Sequence, residues 1–116
     1  VSSCKNYVSP KVEIQAHSAA LGMKFYRGKM FPQEFKNAIF IAEHGSWNRS
    51  QPVGYRVSVV MFKDGQPAYQ PFAWGWLGSK GVTGRPVDIL ELKDGSILIS
   101  DDHGGKIYRV WYQNKR

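Results

Sequence analysis

Four short segments of this sequence concentrate side chains able to do chemistry. They are His17-Ser18, the run Glu43-His44-Gly45-Ser46-Trp47-Asn48-Arg49, Gly84-Arg85-Pro86, and Asp101-Asp102-His103. Arg49 and Arg85 suit carboxylates or phosphates, because a guanidinium offers two parallel N–H bonds to an anion. Trp47 offers a flat stacking surface. His44 changes charge near neutral pH and can donate a hydrogen bond or act as a base. Each has a plainer reading. Arg85 can pair with Asp101 or Asp102, Trp47 can cap a sheet edge, and His17 and His103 can be turn residues bonded to backbone. Two adjacent aspartates supply too few oxygens to specify calcium, so no metal site follows from the residues. Asn48-Arg49-Ser50 fits the N-glycosylation pattern, which matters only in a eukaryotic secretory host.

These segments need a frame that brings them together, and the sequence between them reads as strands. Gly22–Tyr26, the continuous apolar run Ala38–Ala42, Tyr55–Phe62, Tyr69–Trp76, Val87–Leu92, Ile97–Ile99 and Ile107–Tyr112 have strand length and strong β formers. Lys63-Asp64-Gly65 and Lys93-Asp94-Gly95 read as hairpin turns of one kind. Lys11–Ile14 reads as a further strand, continuing something upstream of Val1. Only Phe31–Lys36, with a proline near its start, suggests a helical turn. The expected class is all-β.

An internal repeat orders these strands. Ala38–Gly45 aligns with Ser96–His103 at an offset of 58, and Tyr55-Arg56-Val57 with Tyr108-Arg109-Val110 at an offset of 53. The fall from 58 to 53 gives the first unit about five extra residues, within His44–Gly54. Extra length in one loop of a repeat is where function tends to sit. Units of antiparallel strands at this spacing are what β-propeller blades look like in sequence. In such a unit the start of the first strand and the end of the second share one edge. That edge gathers His17, Glu43, His44, Trp47, Asn48, Arg49, Arg85, Asp101, Asp102 and His103.

Composition sets the outer bounds. The chain has 116 residues, a formal net charge of +7, 14% aromatics and 12 glycines. The basic residues are scattered, without a run of five, which reads as a solvated basic surface and not as a nucleic-acid interface. The last four residues, Gln113–Arg116, read as a tail. One cysteine, Cys4, excludes an internal disulfide framework and a Cys-based zinc site. No apolar run approaches the ~18 residues of a membrane helix, and the first residues carry no signal-peptide pattern.

The ordered motifs resemble a known family. They are His17–Tyr26, Phe31-Pro32, Ala42–Ser50 with Gly54-Tyr55-Arg56, Gly84–Asp88, and Ser100–Asp102 with Ile107-Tyr108-Arg109. From about Lys11 to Tyr112 the chain is similar to the C-terminal part of the glucose/sorbosone dehydrogenases, soluble quinoprotein sugar dehydrogenases. The resemblance implies about two blades of a six-bladed β-propeller, roughly residues 12–78 and an incomplete 79–116. It implies pyrroloquinoline quinone (PQQ), a planar tricarboxylate, on the top face. The implied cofactor contacts are His44, Trp47, Asn48, Arg49, Arg85, Asp101 and Asp102, with His17 and His103 on the substrate rim. Two departures stand out. Val87 replaces a second arginine beside Arg85, and Ala19-Ala20 replaces the usual Ala-Pro. His44 and Arg49 would replace a lysine of the glucose branch.

The implied function is oxidation of a sugar or sugar aldehyde, in a periplasmic or secreted protein. The family's general base and calcium ligands lie in blades outside this chain. The expected partners are the remaining blades or copies of this chain, and the chain alone is expected to be inactive. The alternative is a propeller fragment that binds carbohydrate or protein without catalysis.

Overall fold

The structure, a computed structural model, describes residues 3–114. Strands β1 (Ala20–Phe25), β2 (Ile39–Glu43), β3 (Arg56–Lys63) and β4 (Gln66–Ala73) form an antiparallel sheet in chain order. A short ribbon of β5 (Leu77–Gly78) and β6 (Gly81–Val82) follows. Then β7 (Pro86–Glu91), β8 (Ile97–Asp101) and β9 (Lys106–Val110) form a three-stranded antiparallel sheet. The only helical turns among the described residues are 3-10 turns at Cys4–Asn6 and Gln33–Phe35. The second lies where Pro32 presets the backbone. Among the described residues no helix is long and apolar enough to cross a membrane.

Several expectations change on contact with the structure. The second unit, expected as an incomplete blade, has three strands. Lys11–Ile14 forms no strand: four residues without a neighbouring strand have no ladder to join. The ribbon β5–β6 went unread because its strands are two residues long. Gln113 and Asn114 have no regular structure, and Lys115 and Arg116 lie outside the described residues. The two Lys-Asp-Gly hairpins also differ. Asp64 (φ 52) and Gly65 (φ 77) are both left-handed, as a two-residue turn requires. At the other, only Gly95 (φ 92) is, and Gly95 N donates to Leu92 O at 3.0 Å in a three-residue loop.

The repeat is real, but its register is not the one read from Tyr-Arg-Val. Ala20 pairs with Glu43 and then Met23 with Ile41; Pro86 pairs with Asp101 and then Ile89 with Ile99. Both first strands therefore carry a bulge at the same place. Ala42 pairs with Val57, while Ser100 pairs with Ile107. Val57 thus corresponds to Ile107, and Tyr55-Arg56-Val57 does not correspond to Tyr108-Arg109-Val110. The loop after β2 has twelve residues (44–55) and that after β8 has four (102–105). The first unit's insertion is eight residues, not five.

The core lies between the two larger sheets. Phe40, Ala42, Val57, Val59 and Met61 pack against Ile89, Ile97 and Ile99. Burying each large side chain is worth about 1.5–3 kcal/mol. At corresponding positions of β2 and β8 the burial runs in opposite phase. Phe40 and Ala42 are buried where Leu98 and Ser100 are half-exposed, and Ile97 and Ile99 are buried where Ile39 and Ile41 are half-exposed. The front of one sheet therefore meets the back of the next, as in sheets stacked in series. Tyr26 ties the layers at the far end, its hydroxyl donating to Gly95 O at 2.7 Å and accepting from Phe31 N at 3.1 Å. Met23 and Phe25 on one outer face, and Leu90 and Ile107 on the other, remain exposed.

Candidate functional site

The long loop after β2 folds back on itself. Ser46 N donates to Val53 O at 3.0 Å, Val53 N donates to Ser46 Oγ at 3.1 Å, and the Tyr55 hydroxyl donates to Ser46 O. The fold-back needs glycine at Gly54 (φ 84), where a Cβ would lie 2.8 Å from Gly45 Cα and from Ser18 O. The loop is pinned to the segment before β1: His44 N donates to Ala19 O and Gly45 N to Ser18 O, both at 2.9 Å. Arg49 Nη1 donates to Ala16 O at 3.0 Å. His17 (φ 71), Ala19 (φ 54) and Tyr55 (φ 58) hold left-handed backbone here. Such conformations are costly for residues with side chains and cluster at functional sites.

Between these two segments lies a groove of about 300 Å³ lined by His17, Ala19, Gly45, Ser46, Trp47 and Asn48. Trp47 is 87% exposed, so its indole face is available for stacking. Ser18 beneath is buried, and its hydroxyl has no partner among the described residues.

The second unit braces this loop. Asp101 is buried, and its Oδ1 accepts the backbone N–H of Arg85 (2.8 Å), His103 (3.0 Å) and Gly104 (2.8 Å). Burial alone would raise its pKa, but the three N–H bonds outweigh burial and hold it below the usual carboxylate range. The Arg85 guanidinium donates to His44 O (3.0 Å) and Gly45 O (2.6 Å) and lies over the Tyr55 ring at 5.4 Å. Asp102 Oδ1 meets His44 Nε2 at 2.8 Å. An ionised Asp102 can only accept, so Nε2 carries the proton and Nδ1 keeps a lone pair able to take one.

The four segments therefore meet at one edge. His17, Trp47 and Asn48 line the groove, and His44, Arg85 and Asp102 form the junction beside it. Arg49 and Arg85 flank it, each bonded to backbone carbonyls. Neither aspartate pairs with the Arg85 side chain. His103 bonds Val82 O at 3.2 Å as a turn residue, whereas the His17 side chain makes no such bond. Glu43 departs from the group. It lies on the opposite face of its sheet, where Arg56 Nε donates to it at 3.2 Å and the Tyr69 hydroxyl also donates. Burial and the Glu43 bond raise the Tyr69 pKa above its usual value. Tyr55, under the loop, was not singled out in the sequence; the signal was Gly54 before it. Among the described residues no three His, Cys, Asp or Glu side chains cluster as metal ligands.

Residues 2–113 match a family described as TrAA12-like. An uncharacterized protein of Borreliella burgdorferi is 51% identical over 105 residues, covering 87% of this chain and 28% of its own length. A pyrroloquinoline quinone-dependent pyranose dehydrogenase of Coprinopsis cinerea is 42% identical over 55 residues, covering 47% of this chain and 7% of that protein. Among solved structures, the calcium structure of a Trichoderma reesei family AA12 enzyme aligns with TM-score 0.72 and 26% identity, over 90% of this chain and 27% of that one. The holo pyranose dehydrogenase PQQ domain of Coprinopsis cinerea aligns with TM-score 0.63 and 25% identity, over 94% and 31%. The chain thus spans less than a third of these relatives. Those with a described activity or family are an AA12 enzyme and a pyranose dehydrogenase, not specifically the glucose/sorbosone branch compared above.

Proposed function

The chain belongs to the TrAA12-like family, and from that premise we propose that it forms part of a quinoprotein oxidoreductase of sugars. In this reading it supplies about two blades of a six-bladed propeller and one wall of the PQQ site. The reading also places the protein outside the cytoplasm, in the periplasm or secreted. The observation that carries it is the groove between the loop after β2 and the segment before β1, with an exposed Trp47 beside Asn48 and His17.

The residues fit such a group in part. A planar, anionic ring system needs a stacking plate, which Trp47 supplies, and cationic donors, of which Arg49 is exposed at the groove's side. Arg85 fits differently from the family expectation, because its guanidinium is taken up by two loop carbonyls. Its work here is to hold the loop that presents Trp47. Bound PQQ would supply a two-electron acceptor. His44, held by Asp102 at Nε2, has Nδ1 left to take a proton. The sugar remains a class: a pyranose or a sugar aldehyde, including sorbosone.

PQQ titrated into the chain tests this by nuclear magnetic resonance. Saturable shifts confined to the amides of His17, Gly45, Trp47 and Asn48 are expected. No shift there at millimolar PQQ contradicts the reading. It would favour a fragment that binds carbohydrate or protein without the quinone, for which Val87 in place of a second arginine already speaks.

A further inference from the structure

The end of the molecule away from the Trp47 groove carries a second pocket. β1 leaves the groove at Ala20 and ends at Phe25, and residues 26–38 loop across that far end to β2. This loop alone lines a pocket of about 330 Å³, at the small end of the ~300–1,000 Å³ that organic ligands occupy. Its shape is set by bonds within the protein. Tyr26 N donates to Ala38 O at 2.7 Å, and Lys36 N to Gln33 O at 3.0 Å. Glu91 Oε1 accepts from Arg27 N at 2.6 Å and from Gly28 N at 3.2 Å. A Cβ on Gly28 would lie 2.8 Å from Gly95 Cα, so glycine lets the loop seat on the β7–β8 turn.

Three of the scattered basic residues, Arg27, Lys29 and Lys36, line this pocket, and all are exposed. Among the described residues none of them is in an ion pair; the pairs are His44–Asp102, Arg56–Glu43 and Arg109–Asp94. Glu91 turns its bonded oxygen to the two backbone N–H groups, and Glu34, in the same loop, does not line the pocket. The positive charge of the pocket is therefore uncompensated. Gln33 and Asn37 add side-chain amides, which both donate and accept. Tyr26 and Phe31, stacked at 4.8 Å between ring centres, give the pocket an apolar wall with Pro32.

We propose that this pocket binds a phosphate monoester of a small polyhydroxylated molecule, of the size of a sugar phosphate. Three unpaired cations call for more than one negative charge. A phosphate monoester carries about −1.5 to −2 at pH 7, whereas a carboxylate or a sulfate ester carries one. Ammonium and guanidinium groups hold phosphate oxygens through charge-assisted hydrogen bonds. The Gln33 and Asn37 amides match hydroxyl groups, and the wall at Pro32 matches the C–H face of the organic part. Bare phosphate would leave both unused. The pocket lies the length of β1 away from the Trp47 groove, so the inference stands whether or not that groove binds a quinone.

Glucose 6-phosphate is the probe, titrated into the full chain at physiological ionic strength and followed by amide shifts. Saturable shifts are expected at Arg27, Lys29, Gln33, Lys36 and Asn37, with Gly45, Trp47 and Asn48 unmoved. Inorganic phosphate and glucose 6-sulfate should each bind roughly tenfold more weakly. Lys29→Gln with Lys36→Gln, both at exposed positions that leave the core intact, should weaken glucose 6-phosphate binding roughly tenfold or more. The proposal is overturned if the loop amides do not saturate at millimolar glucose 6-phosphate, or if the double variant binds it as well as the parent chain. It is also overturned if inorganic phosphate or glucose 6-sulfate binds equally tightly, or if the shifts fall at the Trp47 groove instead.

Discussion

Glu43 and Asp101 stand at corresponding ends of β2 and β8, and both are buried. They are satisfied in opposite ways. Glu43 is held by side chains, Arg56 and Tyr69, on the face of its sheet turned away from the groove. Asp101 is held by three backbone N–H groups at the edge where the loops meet. The difference follows loop length. After β8 only four residues connect to β9, so the turn must wrap its amides around a short acid. After β2 the chain has twelve, and the loop is free to reach out and form a groove. One unit of the repeat presents the site and the other braces it.

Removing the brace should have the largest effect. Asp101→Ala leaves three part-buried N–H groups without their acceptor and should cost roughly 3 kcal/mol, read as a lower urea midpoint with an unchanged slope. Arg85→Met removes two charge-assisted bonds to the loop and should cost roughly 2–3 kcal/mol, with faster amide exchange at Gly45 and Ser46. Glu43→Gln keeps an acceptor for Tyr69 and weakens only the Arg56 bond. It should cost about 1–2 kcal/mol and leave the groove amides as they were. If Glu43→Gln loosened the groove as much as Arg85→Met does, the division between presenting and bracing units would fail.

Acid sharpens the same comparison. The folded pKa of Asp101 lies below its unfolded value, so the unfolded chain binds the proton more tightly. Its stabilisation is present above the unfolded value of about 3.9 and is lost as pH falls through the lower folded value. Asp101→Asn should therefore flatten the stability curve below about pH 4, measured by urea unfolding across pH.

Much of this frame was legible because strands announce themselves locally. Ala38–Ala42 and Tyr55–Phe62 carry period and β-branching, and the strand-end argument brought His44, Arg85 and Asp102 to one edge before any coordinates. The register was not legible. Tyr55-Arg56-Val57 and Tyr108-Arg109-Val110 look alike, but hydrogen-bond pairing, fixed across strands, sets them three positions apart. Glu43 stands at that edge as expected, but its side chain turns to Arg56 and Tyr69, because one residue along a strand changes its face. The role of Arg85 was hidden for another reason: its partners are backbone carbonyls, which leave no mark on side-chain identity.

The central claim is that the longer loop presents Trp47 as the plate for a planar anionic cofactor. It is tested by PQQ affinity of the Trp47→Ala and Trp74→Ala chains, measured by the same amide shifts. Both indoles are exposed, at 87% and 72%, so neither replacement should disturb the core. The account predicts a roughly five- to tenfold loss for Trp47→Ala, as for a stacking contact of about 1 kcal/mol, and no change for Trp74→Ala. Equal affinity in the two chains would contradict it.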